Sequence, residues 1–303
     1  MKLKFFSVVT SVYNGQNFIE RAVRSVMSQE FNDYEYIIVD NGSTDDTAVI
    51  LNRLLQEYRE KDLKVITLKE NRGISGGRNA GIAETSGKYI CFLDADDYWY
   101  PNKLDEVYKV IKADASVDVV CHWEEHIEEE IKRIGKYREL HLIDSYEDLL
   151  FNGNCLSTSA TTVKADLMKS INGFDLKLKS GEEDYDCWLR LAKTGAKFYS
   201  LKKPLGVWII RKDSISNKHL IHLDAVLNVI NNNFKNYVNK KYKAKQIENF
   251  RKKSNARLLC SYGKMISDSG QRDIGNSLYK KALGLYPFSI KAFAGLLLNI
   301  IKR

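Results

Sequence analysis

The feature that most restricts the fold is an alternation of short apolar runs with helical segments in the first third of the chain. Runs rich in β-branched and aromatic residues lie at positions 5–12, 35–40, 63–68 and 89–93. Between the first two runs, Phe18, Ala22 and Val26 recur at the spacing of an amphipathic helix. Strands that alternate with helices in this way predict an α/β domain with a mostly parallel central sheet and helices on both faces.

Three carboxylates cluster where the fourth apolar run stops. The run at 89–93 is followed by Asp94, Asp96 and Asp97, and Asp40 ends the second run in the same way. Clustered negative charge costs free energy through repulsion and desolvation, so packing alone does not account for it. Ligands of parallel sheets bind beyond the carboxyl ends of the strands. We therefore predict a hard divalent cation here, Mg²⁺ or Mn²⁺, with water and substrate phosphates completing its ligands.

The acidic cluster has two other interpretations, an EF-hand loop and a helix cap. An EF-hand loop starting at Asp94 is excluded because Tyr98 and Trp99 stand where it needs an Asp or Asn and a Gly. A helix cap by Asp97 ahead of Pro101 is compatible with the sequence but explains one carboxylate only. Taken alone, the cluster leaves a metal site and an acidic turn equally open.

Composition restricts the class of protein. The chain has 303 residues, of which 44% are hydrophobic, and its five cysteines form no C-x-x-C pair. Neither a zinc site nor a disulfide framework is indicated, and a reducing cytosol fits best. Residues 1–12 read as a first strand, not as a cleaved signal peptide, and no run of apolar residues is long enough to span a membrane. We expect a cytoplasmic protein, with peripheral attachment to the inner face of the cell membrane as an option.

The positive charge is concentrated at the C-terminal end. Residues 220–303 contain 16 Lys and Arg against 4 Asp and Glu, although the net charge of the whole chain is only +8. Apolar periodicity at 220–234 and 274–285, and the apolar segment 288–301, predict a basic helical region. Such a region favours either an anionic membrane surface or packing as a helical cap on the catalytic domain or a second subunit. A homo-oligomer is compatible with the second option.

A second acidic group opens a predicted helix. Glu183 and Asp184 are followed by Tyr185 and, three residues later, by Trp188. Carboxylates in a first helical turn are stabilised by the helix dipole, which is a purely structural explanation. Aromatic rings beside carboxylates also suit sugar rings, so both interpretations stay open.

These motifs resemble glycosyltransferase family 2, the inverting transferases of the GT-A fold. The resemblance covers roughly residues 5–215 and rests on four segments in the family's order: 7–14, 38–45, 93–97 and 183–186. The chain departs from the common pattern at Ser11, where Pro is frequent, and at Asn41, where Asp is frequent. The resemblance implies a GT-A fold: an α/β structure with a Rossmann-like, mostly parallel central sheet, flanking helices and a C-terminal helical extension.

The resemblance also implies a division of the chain. The catalytic domain would comprise residues 1–219, with a nucleotide-sugar half at 1–100 and an acceptor half at 101–219. Residues 220–303 would form the basic helical region.

By the same resemblance, the donor is a UDP-sugar. Ser11 and Tyr13 would hold the base, and Asp40 would accept a hydrogen bond from the uracil imide. Asp94 would approach the ribose or the metal. Asp96 would ligate the metal that bridges the diphosphate, with Asp97 as its support or an alternative ligand.

Further residues receive roles from the resemblance. Arg78 and Arg211 would steady the phosphates, although each is equally explained as a surface arginine, and His219 is a weaker candidate metal ligand. Asp184 would be the general base that activates an acceptor hydroxyl, with the acceptor-binding residues Glu183, Tyr185 and Trp188 beside it. One in-line displacement would invert the anomeric centre. The acceptor would be a glycan, or a glycan on a lipid diphosphate, in cell-surface polysaccharide assembly.

The sequence also bears on three other functions. A sugar nucleotidyltransferase usually carries a Gly-rich, basic phosphate loop after the first strand, whereas this chain has Tyr13-Asn14-Gly15-Gln16. A non-catalytic glycan-binding or nucleotide-sugar-binding scaffold is the main alternative. The presence of Asp40, Asp94, Asp96 and Asp184 argues against it. Nucleic-acid binding is not expected, because the basic residues lack the interleaved aromatic platform that single-strand binders use.

Overall fold

The computed structural model describes residues 3–140, 145–178, 181–211, 219–238 and 241–301. The chain divides into two compact units. Of the described residues, the first unit contains 3–140, 145–146, 155–178 and 186–211, and the second contains 147–154, 181–185, 219–238 and 241–301.

The strands of the described part all lie in the first unit. They are β1 Phe6–Val12, β2 Tyr34–Asp40, β3 Leu63–Thr67, β4 Tyr89–Phe92, β5 Tyr98–Trp99, β6 Val119–Glu128, β7 Ile131–Gly135, β8 Thr161–Lys164 and β9 Phe198–Ile210. They form one sheet in the order β3, β2, β1, β4, β8, β6, β9, β5, with β7 beside β6.

The first four strands confirm the predicted parallel arrangement. β1 pairs in parallel with β2 and β4, and β2 pairs in parallel with β3. Asp40 pairs with Val12, and Phe92 with Val9, so the carboxyl ends of these strands share one edge. Beyond β4 the sheet is mixed, because β8 is antiparallel to both β4 and β6 whereas β9 runs parallel to β6.

The helices follow the predicted alternation. In the first part of the chain they are α1 Ile19–Met27, α2 Thr47–Glu57, α3 Gly73–Ala83, α4 Lys103–Ala113, α5 Ser145–Asn152, α6 Ala165–Ser170 and α7 Glu183–Lys193. Helix α1 shows why they form where they do: Ala22, Val23 and Val26 are fully buried, whereas Arg24 is exposed. The apolar residues of α1, α2 and α4 pack with those of the strands and form the main core.

The C-terminal helices of the second unit are α8 His219–Lys235, α9 Ala244–Asp268, α10 Arg272–Leu285 and α11 Ile290–Ile301. They confirm the predicted helical extension. The predicted boundary after residue 219 falls at the first residue of α8, but the second unit also takes in 147–154 and 181–185. Among the described residues, no helix combines the length and the apolar character needed to cross a bilayer.

Candidate active site

The loops after β1 and β2 are tied together by hydrogen bonds. The Asn14 side chain accepts a hydrogen bond from the Thr44 backbone N at 2.8 Å, and the Gly15 backbone N donates to Thr47 Oγ1 at 2.8 Å. Asn14 adopts φ 52, in the left-handed region that asparagine tolerates better than most residues. Between these loops the Tyr13 ring remains 46% exposed and is available to a ligand.

Asp40 lies at the end of β2 and is almost fully buried. Its Oδ1 accepts a hydrogen bond from the Ser43 backbone N at 3.0 Å, which orients the carboxylate. The neighbouring Asn41, where the family more often has Asp, donates through Nδ2 to the Gly73 carbonyl at 2.9 Å and accepts from the Arg72 backbone N at 3.0 Å. Asn41 therefore joins the end of β2 to the start of α3, a role that depends on contacts with residues about 30 positions away.

Helix α3 approaches the strand ends very closely. A Cβ added at Gly77 would lie 2.0 Å from Ser11 Oγ and 3.1 Å from Asn41 Nδ2. Only glycine fits at this point, and the half-buried Ser11 is held against the helix. This packing positions the next residue of α3, Arg78.

Arg78 is buried and pairs with Asp94. Its Nη2 lies 2.6 Å from Asp94 Oδ1, and its guanidinium carbon lies 5.2 Å from the centre of the Phe174 ring. The Arg78 side chain is only 8% exposed, whereas that of Asp94 is 38% exposed. The interpretation of Arg78 as a surface arginine is therefore wrong.

Asp96 faces a second arginine. Its Oδ2 lies 3.1 Å from Nε of Arg211, whose guanidinium carbon is 4.5 Å from the centre of the Phe18 ring. The backbone carbonyl of Asp96 accepts a hydrogen bond from Arg21 Nη2 at 2.7 Å. Burial raises the pKa of Asp96, the negative charge of Asp94 adds to that shift, and Arg211 opposes it.

Asp97 differs from the other two aspartates because both of its oxygens are engaged. Oδ2 accepts from the Ser159 hydroxyl at 2.5 Å, and Oδ1 accepts from the Ile209 backbone N at 3.0 Å. Ser159 Oγ also accepts from the Asp94 backbone N at 3.1 Å. Burial raises the pKa of Asp97 well above its ordinary value, with repulsion from Asp96 as the next cause. Of the two predicted roles of Asp97, the geometry favours the supporting one over direct metal ligation.

A further buried carboxyl lies in the first unit. Glu124 on β6 is fully buried, and its Oε2 accepts a hydrogen bond from the Tyr137 hydroxyl at 2.5 Å. Burial is the main cause that raises the pKa of Glu124 from 4.5 to about 7. In the sequence, nothing separates this residue from the other acids of the run that extends to Glu130.

Replacing Glu124 with Gln is expected to make the free energy of unfolding less dependent on pH. The unfolded chain releases this proton near pH 4.5 and the folded protein near pH 7, so the wild type loses stability as the pH rises through this window. Gln stays neutral at both pH values. As the pH rises through the window, we expect the free energy of unfolding of the variant to increase by about 3 kcal/mol relative to wild type. Urea unfolding at both limits measures the change.

The exposed Glu128 on the same strand supplies the control. Glu128→Gln should change stability by the same small amount at both pH values. If the stability of Glu124→Gln relative to wild type were also the same at both pH values, the prediction of a raised pKa for Glu124 would be wrong.

Asp184 lies in the second unit, in the first turn of α7, and is half-buried. Its Oδ1 accepts a hydrogen bond from the Tyr185 backbone N at 2.6 Å. Just before it, Glu182 adopts φ 66, a left-handed conformation that is uncommon for glutamate and often marks a functional site. His222 Nδ1 lies 3.0 Å from Glu182 Oε1 and 2.6 Å from the Tyr262 hydroxyl.

The carboxyl of Glu182 does not behave as a free acid. Burial raises its pKa well above the ordinary value, and the charges of Asp184 and Glu183 raise it further. Glu183 is itself buried, at 6% exposure. Glu182 and His222 are not among the predicted site residues, and their only signals in the sequence are their positions beside the acidic motif and on the next helix.

The prediction that Tyr185 and Trp188 form an acceptor platform needs correction. Both rings are fully buried. The Tyr185 hydroxyl donates to the Leu149 carbonyl at 2.7 Å, and the Trp188 ring packs edge to face against Phe174 with centroids 6.2 Å apart. Neither ring has a face to offer a sugar, so the structural interpretation of both residues holds.

His219 is the first residue of α8 in the second unit. Its Nδ1 is buried and has no hydrogen-bond partner within the described ranges. An unpartnered imidazole nitrogen is compatible with metal ligation, but its role stays a prediction.

The residues of the first unit suit a divalent cation that arrives with its ligand. No group of three or more His, Cys, Asp or Glu arranged to hold a metal occurs in the part of the chain that the structure describes. Asp94 and Asp96 nevertheless offer partly exposed carboxylates, and hard oxygen ligands of this kind suit Mg²⁺ or Mn²⁺. Such ions are often held by one or two carboxylates plus substrate phosphates. The site therefore fits the ion only if a diphosphate supplies further oxygens.

Comparisons with known proteins identify the family of the chain. The family model described as Glycosyl transferase family 2 matches residues 7–163, just over half of the chain. The UDP-Glc:alpha-D-GlcNAc-diphosphoundecaprenol beta-1,3-glucosyltransferase WfaP of Escherichia coli is 38% identical over 104 residues, which are 34% of this chain and 39% of WfaP. An uncharacterized glycosyltransferase of Methanocaldococcus jannaschii is 27% identical over 196 residues, 63% of this chain and 66% of that protein. The chain thus spans between about a third and two thirds of the length of the curated relatives it matches.

Solved structures share the fold across nearly the whole chain. Residues 1–349 of Staphylococcus aureus TarS, in complex with UDP-GlcNAc, give a TM-score of 0.67 at 18% identity and cover 97% of this chain and 89% of that one. The mannosyltransferase PcManGT from Pyrobaculum calidifontis, in complex with GDP-Man and Mn²⁺, gives 0.63 at 16% identity, with 98% and 86% covered. At these identities the likeness concerns the fold alone. The chain has the GT-A fold and belongs to glycosyltransferase family 2.

Proposed function

We propose that this protein is an inverting glycosyltransferase that moves a sugar from a UDP-sugar to a hydroxyl of a glycan or lipid-linked glycan during cell-surface polysaccharide assembly. The observation that carries the proposal is the pair of partly exposed carboxylates, Asp94 and Asp96, each facing an arginine beyond the ends of the parallel strands. Such an arrangement suits an anionic ligand that brings its own cation. The UDP-sugar complex of TarS and the donor named for WfaP support UDP as the nucleotide.

The nucleoside end of the donor would lie between the loops after β1 and β2. Asp40 keeps acceptor capacity beyond its bond to the Ser43 backbone, so it suits the imide N–H of uracil. The exposed Tyr13 ring supplies an apolar face for the base, and Ser11 supplies backbone contacts. The hydrogen bonds between the two loops hold these groups in place before the donor arrives.

The diphosphate end would meet the arginines. As the sugar–phosphate bond breaks, negative charge grows on the leaving diphosphate, and positive groups fixed nearby stabilise that charge most where it develops. Arg78 and Arg211 already lie beside the carboxylates, and their guanidinium groups would reorient towards the phosphate oxygens. A bound Mg²⁺ or Mn²⁺, held by Asp96 with Asp94 near the ribose or the ion, would supply further neutralisation.

The acceptor hydroxyl needs a base, and Asp184 is the residue proposed for this role. It is half-buried, and the Tyr185 backbone N orients its carboxylate. Removal of the hydroxyl proton during attack makes the oxygen nucleophilic at the anomeric carbon. One displacement of this kind turns an α-linked donor into a β-glycoside.

A screen of UDP-sugars, with released UDP as the readout, tests the proposal and its main alternative. A glycosyltransferase releases UDP from at least one donor when Mn²⁺ and an acceptor are present, whereas a scaffold binds the donor without release. A nucleotidyltransferase would instead form a nucleotide-sugar from a nucleoside triphosphate.

The metal is expected to bind together with the nucleotide. Because the described residues hold no complete set of ligands, Mn²⁺ alone should bind weakly, and UDP and Mn²⁺ should each raise the affinity of the other by the same factor, about tenfold or more. Calorimetric titration of UDP with Mn²⁺ and with a chelator measures this factor. Uridine lacks the diphosphate, so its affinity should be the same with Mn²⁺ and with the chelator. If the affinity for UDP were also the same in these two conditions, the result would count against the proposed site.

The lipid-linked acceptor named for WfaP supports an acceptor at a membrane surface for this protein as well. We extend the proposal to peripheral attachment of the basic C-terminal region at an anionic membrane.

A further inference from the structure

Helix α11 packs through its small and polar residues. Ala292 and Gly295 are buried, and a Cβ added at Gly295 would lie 2.3 Å from Cζ of Tyr279. The buried Asn299 donates from Nδ2 to Ser267 Oγ at 2.9 Å and to an oxygen of the Asn276 side chain at 2.8 Å. The inner face of this helix is therefore fixed by close contact and hydrogen bonds, with few large apolar groups.

The opposite face carries large apolar side chains that remain exposed. Phe293 is 53% exposed, Leu297 60% and Ile301 77%. The other exposed apolar residues of the helix and of the turn before it are Phe288, Ile290, Leu298 and Ile300. This is the reverse of a helix in a globular unit, whose apolar stripe normally faces the core. We call these seven residues the outer face of α11.

The dimensions of α11 restrict what can cover this face. The helix has 12 residues and is therefore about 18 Å long, too short for a hydrocarbon core of about 30 Å. It can lie along a bilayer with its outer face in the interfacial region. A stable interface with a second copy of the chain usually takes about 20 to 30 residues from each side. The outer face has seven, so it is small for that purpose.

The lysines of α10 and α11 favour an anionic partner. Lys280 and Lys281 on α10 and Lys291 on α11 are exposed. No Asp or Glu occurs in the sequence after Asp273. Lysines next to an apolar face are attracted to anionic lipid headgroups while the apolar side chains enter the boundary of the acyl chains.

We propose that the outer face of α11 is a membrane-docking surface that inserts into the interface of a bilayer rich in anionic phospholipid. The three lysines provide the electrostatic part of the attraction. The inference rests on the proposed function in one respect, because a lipid-linked acceptor would be presented at the same surface.

Flotation of the full chain with vesicles tests the inference. The vesicles contain phosphatidylglycerol and phosphatidylcholine in one series and phosphatidylcholine alone in the other. We expect wild type to float with the anionic vesicles. Combined Phe293→Gln, Leu297→Gln and Ile301→Gln should lower the partition coefficient by about tenfold or more. Combined Lys280→Gln, Lys281→Gln and Lys291→Gln should lower it by about tenfold for anionic vesicles only.

Matched controls separate docking from loss of folding and from loss of function. Leu176 and Val238 are 60% and 94% exposed and lie outside α11, so Leu176→Gln with Val238→Gln should float like wild type. UDP affinity should be the same in all these proteins. The inference is overturned if the α11 variant floats at the wild-type level. It is also overturned if wild type does not float but is a dimer in light scattering, and the α11 substitutions dissociate that dimer. Absence of UDP release from every donor would reject the proposed function and leave the flotation result unaffected.

Discussion

Asp184→Asn is expected to lower the rate of sugar transfer by about 10² to 10⁴-fold, while donor affinity stays within about twofold of wild type. Asn still accepts the hydrogen bond that Asp184 takes from the Tyr185 backbone, so the first turn of α7 should keep its conformation. It cannot remove a proton from the acceptor hydroxyl. Initial rates with a saturating acceptor, and calorimetric titration with UDP, separate the two effects.

The control for Asp184 is the next acid on the same helix. Asp186 Oδ2 lies 2.6 Å from Arg190 Nε, one turn further along, and this contact explains the residue structurally. Asp186→Asn should lower the melting temperature slightly and leave the rate per folded molecule close to wild type. If Asp184→Asn turned over at the wild-type rate, or if Asp186→Asn lost transfer instead, Asp184 would not be the base.

Asp96→Asn is expected to lower transfer by about a thousandfold and to remove the effect of Mn²⁺ on UDP affinity. An amide oxygen is a weaker ligand for a hard cation than a carboxylate is, and Arg211 would lose its charged partner at the same time. The side chain is 26% exposed, so the melting temperature should change little. Rates over a range of Mn²⁺ concentrations and UDP titrations with and without Mn²⁺ provide the measurement.

Asp97→Asn should lower stability and keep the effect of Mn²⁺, which is the opposite of what we expect for Asp96→Asn. Asp97 holds neighbouring residues in place and is not expected to bind the metal. The Asn amide group has one acceptor, whereas the carboxylate accepts from both Ser159 and the Ile209 backbone N. We expect a loss of about 1 to 3 kcal/mol in stability. The Mn²⁺ dependence of UDP affinity should persist. If Asp96→Asn kept this dependence and Asp97→Asn lost it, the two roles would have to be exchanged.

Much of the first unit could be predicted because its signals are local. The apolar runs and helical periodicities that define β1 to β4 lie within a few residues of each other, and a parallel arrangement follows from their alternation. Because ligands bind beyond the carboxyl ends of parallel strands, Asp40 and Asp94 could be predicted to lie at the same edge of the sheet. The mixed half of the sheet was not predicted, because the pairing of β8 with both β4 and β6 depends on residues far apart in the chain.

The roles of single residues were harder to predict. The sequence was equally compatible with Arg78 as a phosphate ligand and as a surface residue. In the structure Arg78 is buried and contacts the Phe174 ring. Tyr185 and Trp188 have the composition of a sugar platform but lie in the core. The raised pKa values of Glu124 and Glu182 could not be predicted, because their main cause is burial, which only folding produces.

By itself, the sequence determined the alternation of strands and helices, the acidic ends of β2 and β4, and the basic helical C-terminal region, since each depends on the order and spacing of neighbouring residues. The tertiary structure alone decided which groups remain available to a ligand. Asp97 is engaged by residues 62 and 112 positions away, and the large apolar residues of α11 face outward because Gly295 and Asn299 form the packed side. Burial and the choice of hydrogen-bond partner are properties of long-range contacts, so neighbouring residues in the chain do not specify them.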